Sequence, residues 1–263
     1  MSPRPRCRPP RRGSYVGGVD GSCSWRTRRL AIALGSVAMA AVTMLDFSAV
    51  ASARSPSVGS VIKIVKAAIK KESGAQLVST EHTTSSSMVA KETLSAGTAS
   101  GEETLSNGDA HLAVKVTPAD AYVSGSSSGL TTILGVSAKD AKKIGSDWVY
   151  WKHGTAQYTD LESDVTVTSL TSVLPKAKGT KLSTHVTKGA TFYVLAWTTE
   201  ATSSSPKLSN TLTVSVRTDL PVRSTSTTSG GTRLATKFSD WGRHVVVSAP
   251  PAGSTVPSST ITG

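Results

Sequence analysis

The sequence predicts an α+β domain in which an antiparallel sheet carries a few helices against one face. Three observations predict it. An apolar stripe at helical spacing starts near residue 58, strand-like runs rich in Val, Thr and Leu follow it, and short helical clusters interrupt those runs. Ser and Thr are abundant and aromatic residues make up only 5% of the chain, which is typical of a sheet with many half-exposed strands.

The opening helix is predicted from apolar residues that recur every three or four positions. They are Val58, Val61, Ile62, Val65, Ala68 and Ile69. Lys70 and Lys71 suit the negative C-terminal end of a helix, and Gly74 is a natural stop. The stripe contains no large aromatic residue, so packing on the sheet is favoured over binding to a membrane surface.

Strands are predicted for most of the remaining chain. The expected ranges are 76–83, 85–94, 111–117, 121–124, 148–152, 181–187, 191–198, 212–217 and 244–248. A short apolar cluster at 130–134 is followed by Ser137 and Asp140, which are spaced as in a helix capping box. A second helical piece over 165–174 ends at Pro175.

Residues 1–53 have the three parts of a secretory signal peptide. Arg26, Arg28 and Arg29 precede an uncharged apolar segment over 30–45, and Ala51 and Ala53 provide small side chains for cleavage after residue 53. The apolar segment is shorter than the roughly 20 residues that span a bilayer. We therefore expect an exported protein, secreted or in the cell envelope, with a domain over 54–251 and a flexible tail over 252–263.

Removal of this leader changes the composition. It holds both Cys residues, eight of the 29 Lys and Arg, and two of the 17 Asp and Glu, so the mature net charge falls from +12 to +6. No disulfide, thiol nucleophile or lipid-modified Cys is then expected. The N-terminal arginines leave with the leader, so neither nucleic-acid binding nor a stable membrane anchor is predicted.

Motifs that would indicate an enzyme or a metal site are weak. The five His residues do not pair at metal-ligand spacing. Asp160, Glu162 and Asp164 alternate like the start of a calcium loop, but Val165 and Thr171 stand where that loop needs Gly and Glu. We therefore expect no metal and no cofactor.

The best enzymatic motif is Gly125–Gly129, which matches the Gly-x-Ser-x-Gly pattern of a nucleophile elbow centred on Ser127. Asp160 follows it, with His185 or His244 further on, in the chain order of a hydrolase triad. The elbow needs a buried parallel strand, whereas this sheet is predicted to be antiparallel. The sequence therefore favours a protein that is not an enzyme, with a serine hydrolase as the weaker alternative.

Several short segments together resemble a known family. Residues 117–123 lead into a Leu-rich helix, 141–149 form a step that ends in Trp148 and Val149, and 220–223 and 238–250 follow later. This order resembles actinobacterial envelope proteins of the LolA-like LppX/LprG type over residues 57–251, without the lipid-modified Cys. The resemblance implies a half-open antiparallel barrel with helices packed on its concave face.

The resemblance also implies a function. Such proteins hold acyl chains of lipids or lipoproteins in an apolar space between sheet and helices, with no covalent step. The expected cavity lining is Val61, Ile62, Val65, Ile69, Leu112, Val114, Tyr122, Leu130, Ile133, Leu134, Leu170, Leu174, Phe192 and Val194. The expected function is a carrier for a lipid or an acylated lipoprotein, with an envelope protein as a possible partner. The alternative is an exported interaction domain without a ligand cavity.

Overall fold

The computed structural model describes residues 56–83, 89–202 and 205–261. The expected signal peptide, 1–53, lies outside these residues. Four α-helices occur in the described part: α1 (Val58–Ile69), α2 (Ser127–Thr132), α3 (Ala138–Ile144) and α4 (Ala156–Val165). Three 3-10 helices span Val167–Val173, Ala252–Ser254 and Ser258–Thr260.

Within the same ranges, twelve strands form one sheet. In chain order they are β1 (Gly74–His82), β2 (Val89–Gly97), β3 (Gly101–Asn107), β4 (Ala110–Val116), β5 (Asp120–Gly125), β6 (Trp148–Lys152), β7 (Lys181–Thr187), β8 (Ala190–Thr199), β9 (Leu208–Ser215), β10 (Pro221–Thr228), β11 (Arg233–Ser239) and β12 (Thr255–Pro257). The spatial order is β12-β6-β5-β4-β3-β2-β1-β11-β10-β9-β8-β7. Every pairing is antiparallel except the parallel one between β12 and β6. The predicted α+β class with an antiparallel sheet is confirmed, and the sheet is open, with edges at β7 and β12.

One face of the sheet carries the core, and we call it the inner face. Its buried side chains are aligned by register, with Leu94 opposite Leu77 and Val123 opposite both Val114 and Val149. Gly101 shows which face the helix α4 covers, because a Cβ on Gly101 would collide with the carbonyl oxygen of Val165 in α4. Helix α4 therefore lies on the inner face, over β2 to β6.

Helix α1 covers the apolar stripe that the sequence predicts, but it ends at Ile69, before Lys71 and before the predicted stop Gly74, which is the first residue of β1. The Ser57 side chain caps the helix by accepting a hydrogen bond from the Ser60 amide at 3.1 Å. Its apolar stripe places Val61, Val65 and Ile69 in the same buried cluster as Leu195 and Phe238. The helix packs beside the 3-10 helix Val167–Val173.

Several predicted elements differ from the structure. The predicted strand 244–248 forms no strand. It crosses the ends of β1 and β2 instead, with Val245 against Gly74 and Gly97 and its carbonyl accepting a hydrogen bond from Ser100 Oγ at 3.2 Å. The predicted helix 165–174 is a 3-10 helix over Val167–Val173. Residues 252–263 were expected to form a flexible tail, and part of this segment pairs with β6 as β12.

Candidate functional site

Most of the predicted cavity residues lie in or against one core. Val61, Val65, Ile69, Leu112, Val114, Leu130 and Leu170 are buried, and Ile62, Ile133, Leu134 and Leu174 are partly buried against them. These eleven residues are therefore brought together on the inner face and on the helices that cover it. Tyr122, Phe192 and Val194 are not.

The three exceptions point to the opposite, outer face. Tyr122 pairs with Lys115 and Tyr150, one register position away from the buried row of Val114, Val123 and Val149. Phe192 and Val194 are half-buried and lie three positions and one position before Leu195 in β8. Because side chains alternate along a strand, both lie on the face opposite Leu195.

The inner face of β8 instead carries Tyr193, Leu195 and Trp197. Leu195 pairs with Leu212 and is fully buried, and Tyr193 pairs with Val214. Tyr193 and Trp197 are half-buried. Sequence reasoning missed both aromatic residues because β8 is apolar at odd and even positions alike, so alternation does not reveal which set faces inward.

The helix-covered half of the inner face is packed with side chains. Leu112, Val114, Leu130 and Leu170 each expose 2% or less of their surface. Glu103 lies in this half, opposite Leu94 and Val114, and is 2% exposed. This half forms a filled core.

The half of the inner face formed by β7 to β9 is more open. Leu182, Tyr193 and Trp197 are only partly buried, and Val186 near the β7–β8 turn is 70% exposed. Register places Leu182 beside Leu195. An apolar strip therefore extends from the buried core to the β7 edge of the sheet.

A polar patch lies next to this strip, on the inner face of β1 and β9 to β11. Its members are Ser79, Glu81, Asn210, Ser224, Ser226 and Thr236. The hydroxyls of Ser79 and Thr236 are 3.0 Å apart and both side chains are buried. Asn210 accepts a hydrogen bond from Ser226 Oγ at 2.7 Å and donates one to Thr199 Oγ1 at 3.1 Å. The patch combines hydroxyl, amide and carboxyl groups beside an apolar strip.

Glu81 is the ionisable member of the polar patch. It pairs with Ala90 and Leu234 in adjacent strands. Burial raises the pKa of its carboxyl above the ordinary value of 4.5, because the charged form is less well solvated there.

Ser127 and His185, two of the residues considered for a hydrolase triad, lie far apart in the sheet. Ser127 is the first residue of α2, next to β5, whereas His185 lies in β7 at the opposite edge of the sheet. Strand β5 is antiparallel to both of its neighbours, so the motif lacks the parallel strand of an elbow. In the Gly125–Gly129 segment, the Ser126 side chain caps α2 by accepting a hydrogen bond from the Gly129 amide at 3.0 Å.

Two kinds of feature are absent from the part of the chain that the structure describes. No group of three or more His, Cys, Asp or Glu side chains there could hold a metal ion. None of its helices is long and apolar enough to cross a membrane.

Comparison with known proteins gives structural likenesses only. No family model matches the chain, and no curated protein does. LprF from Mycobacterium bovis is similar with 12% identity and a TM-score of 0.43, over 73% of this chain and 96% of that one. MucB in a MucA/MucB complex from Pseudomonas aeruginosa has 14% identity and a TM-score of 0.35, over 74% and 58%. A DUF1329 family protein from Desulfovibrio piger has 8% identity and a TM-score of 0.32, over 73% and 95%. At these values the likenesses assign neither family nor function.

Proposed function

We propose that this chain is an exported carrier, not an enzyme, that binds a lipid or the acyl chain of a lipoprotein between the sheet and its helices. The observation that supports it is the apolar strip of Leu182, Tyr193 and Trp197, which continues the buried core to an open sheet edge. Side chains that are only partly buried at the margin of a core have surface left for a ligand.

The chemistry of the strip suits a hydrocarbon chain. Each CH₂ group that leaves water contributes about 0.8 kcal/mol to binding, and no directed polar contact is needed. We assign the second wall of the proposed site to α1, whose Val61 and Val65 belong to the same hydrophobic cluster as Leu195. Of the predicted cavity residues, Val61 and Val65 belong to this wall. On β8, Tyr193 and Trp197 take the place of the predicted Phe192 and Val194.

The polar patch gives the ligand an orientation. An amphiphile with its tail on Leu182, Tyr193 and Trp197 would place its headgroup toward Asn210 and Ser226. Hydroxyl and amide groups of this kind bind ester, sugar or hydroxyl groups by hydrogen bonds. We therefore propose as cargo either a lipid with a polar headgroup or an acylated protein. The proposed partner is an envelope protein that delivers this cargo.

A second candidate function is an interaction domain. Strand β7 is an edge strand in which every residue except Leu182 is exposed. An exposed edge can accept a strand from another protein through backbone hydrogen bonds. This observation favours a protein partner in place of a lipid.

Mass spectrometry of co-purified lipid separates the two functions. The full chain is expressed with its leader in an exporting host, purified without detergent and extracted with organic solvent. We expect an acyl species in near-stoichiometric amount, because a tail held in an apolar site leaves slowly. Repeated extracts without any acyl species, from protein that captures a partner through β7, would favour the interaction domain and overturn the carrier.

A further inference from the structure

The outer face of the sheet carries a trough that the carrier proposal does not use. It is a cavity of about 540 Å³ over β2 to β6, a volume within the range of small-molecule sites. Its floor is one transverse row of small side chains, aligned by register: Thr93, Thr104, Ala113 and Ser124. A row of small residues between rows of larger ones leaves a hollow in an otherwise flat sheet.

Larger side chains form the walls. Lys91, Ser106 and His111 are aligned in the row along one side. Trp148 lies at the β6 end, with the ammonium of Lys115 5.3 Å from the centre of its ring. The cation–π contact orients the indole. Lys115 itself does not line the trough, and it pairs with Glu102 of β3 on the same face.

The lining has a definite chemical character. The residues that line the trough include Lys91 and His111 but no carboxylate. Four hydroxyl side chains, Thr93, Thr104, Ser106 and Ser124, supply donors and acceptors along the floor and one wall. The partly buried indole of Trp148 adds a flat apolar surface.

These features together describe a particular class of ligand. Hydroxyl groups recognise the hydroxyls of a sugar, and the negative face of an indole attracts the weakly positive C–H groups of a pyranose ring. Lys91 on one wall, with His111 in the same row and no carboxylate among the lining residues, favours a negative charge on that ligand. We infer that the outer-face trough binds an acidic sugar, one that carries a carboxylate on a pyranose ring. This site is separate from the proposed acyl site, which lies on the inner face.

The test is a calorimetric titration of the mature chain with two disaccharides. The acidic probe is the hyaluronan disaccharide of glucuronic acid and N-acetylglucosamine, and the neutral probe is N,N′-diacetylchitobiose. We expect the acidic probe to bind at least about tenfold more tightly, a difference of about 1.4 kcal/mol. Its affinity should fall as salt screens the charge of Lys91.

Two variants and a control locate the binding. Ala113→Leu fills the floor and should abolish binding, whereas Lys91→Ala should weaken only the acidic probe. Thr213→Leu is the matched control, because it enlarges an outer-face residue of β9 that is paired with Val194, far from the trough. Thermal melting of each variant confirms folding.

Three results would overturn the inference. The first is an absence of binding to either disaccharide by the folded mature chain. The second is binding that Ala113→Leu and Thr213→Leu weaken equally. The third is full competition by inorganic phosphate at the same concentration, which would reveal an anion site without sugar recognition.

Discussion

At the scale of single residues, β4 and β8 differ in how polar and apolar side chains alternate along the strand. In β4 the alternation of Leu112, Val114 and Val116 with polar residues is clear, and all three are buried. In β8 both sets of positions are apolar, so Tyr193 and Trp197 were missed. Glu103 was not anticipated either, because no local pattern marks a buried carboxyl in a strand.

Glu81 gives a prediction about pH dependence. Its pKa in the folded protein is raised by burial, so the protein binds this proton more tightly when folded. The favourable contribution is fully present below pH 4.5 and is lost as the pH rises through the folded pKa. Glu81→Gln should therefore raise the free energy of unfolding at pH 7 by a small amount, and the gain should vanish below pH 4.5.

Urea unfolding at several pH values measures this effect. Glu102→Gln is the control, since it removes a carboxylate from an exposed position of β3. An equal gain in both variants at pH 7 would show that net charge, and not burial of Glu81, is responsible.

At the scale of elements, prediction succeeded where the local signal was strong. Helix α1 has an apolar stripe and is capped by Ser57. Ser137 caps α3, with its hydroxyl accepting a hydrogen bond from the Asp140 amide at 3.1 Å. Strands β3, β10, β11 and β12 were missed. Sequences such as 221–228 are rich in Ser and Thr, so they show no apolar alternation, and they form strands because their neighbours provide hydrogen-bonding partners.

The contact between α4 and β3 gives a prediction at this scale. Gly101→Ala would place a Cβ against the backbone of Val165, so α4 would have to move. We expect a loss of about 1–3 kcal/mol in the free energy of unfolding, the usual cost of overpacking. Gly253→Ala is the control, because open space surrounds that position.

Denaturant unfolding of both variants is the measurement. The control should change stability by less than about 0.5 kcal/mol. If Gly101→Ala proved equally mild, the close packing of α4 on the inner face would be contradicted.

At the scale of the whole molecule, the spatial order of the strands could not be predicted from the sequence. Strand β1 pairs with β11 more than 150 positions later, and β12 returns to pair with β6. Such pairings depend on long-range packing and not on local pattern, so the sequence predicted the class of the fold but not which strands form its edges. The open edge at β7 is the feature on which the proposed apolar site depends.

The most direct test of the proposed carrier is the binding of a fluorescent fatty acid, cis-parinaric acid, to the purified chain after extraction with organic solvent, and to two variants treated in the same way. Tyr193→Ser removes an inner-face ring from the apolar strip, and Phe192→Ser removes a half-buried ring from the outer face of the same strand. Phe192→Ser is the matched control, because both variants lose an aromatic residue from β8. Thermal melting checks that each variant is folded. We predict that the wild type binds the fatty acid, that Tyr193→Ser raises the Kd by about tenfold or more, equivalent to 1.4 kcal/mol, and that Phe192→Ser leaves it nearly unchanged. Equal weakening in the two folded variants, or no binding by the wild type, would contradict an acyl site on the inner face.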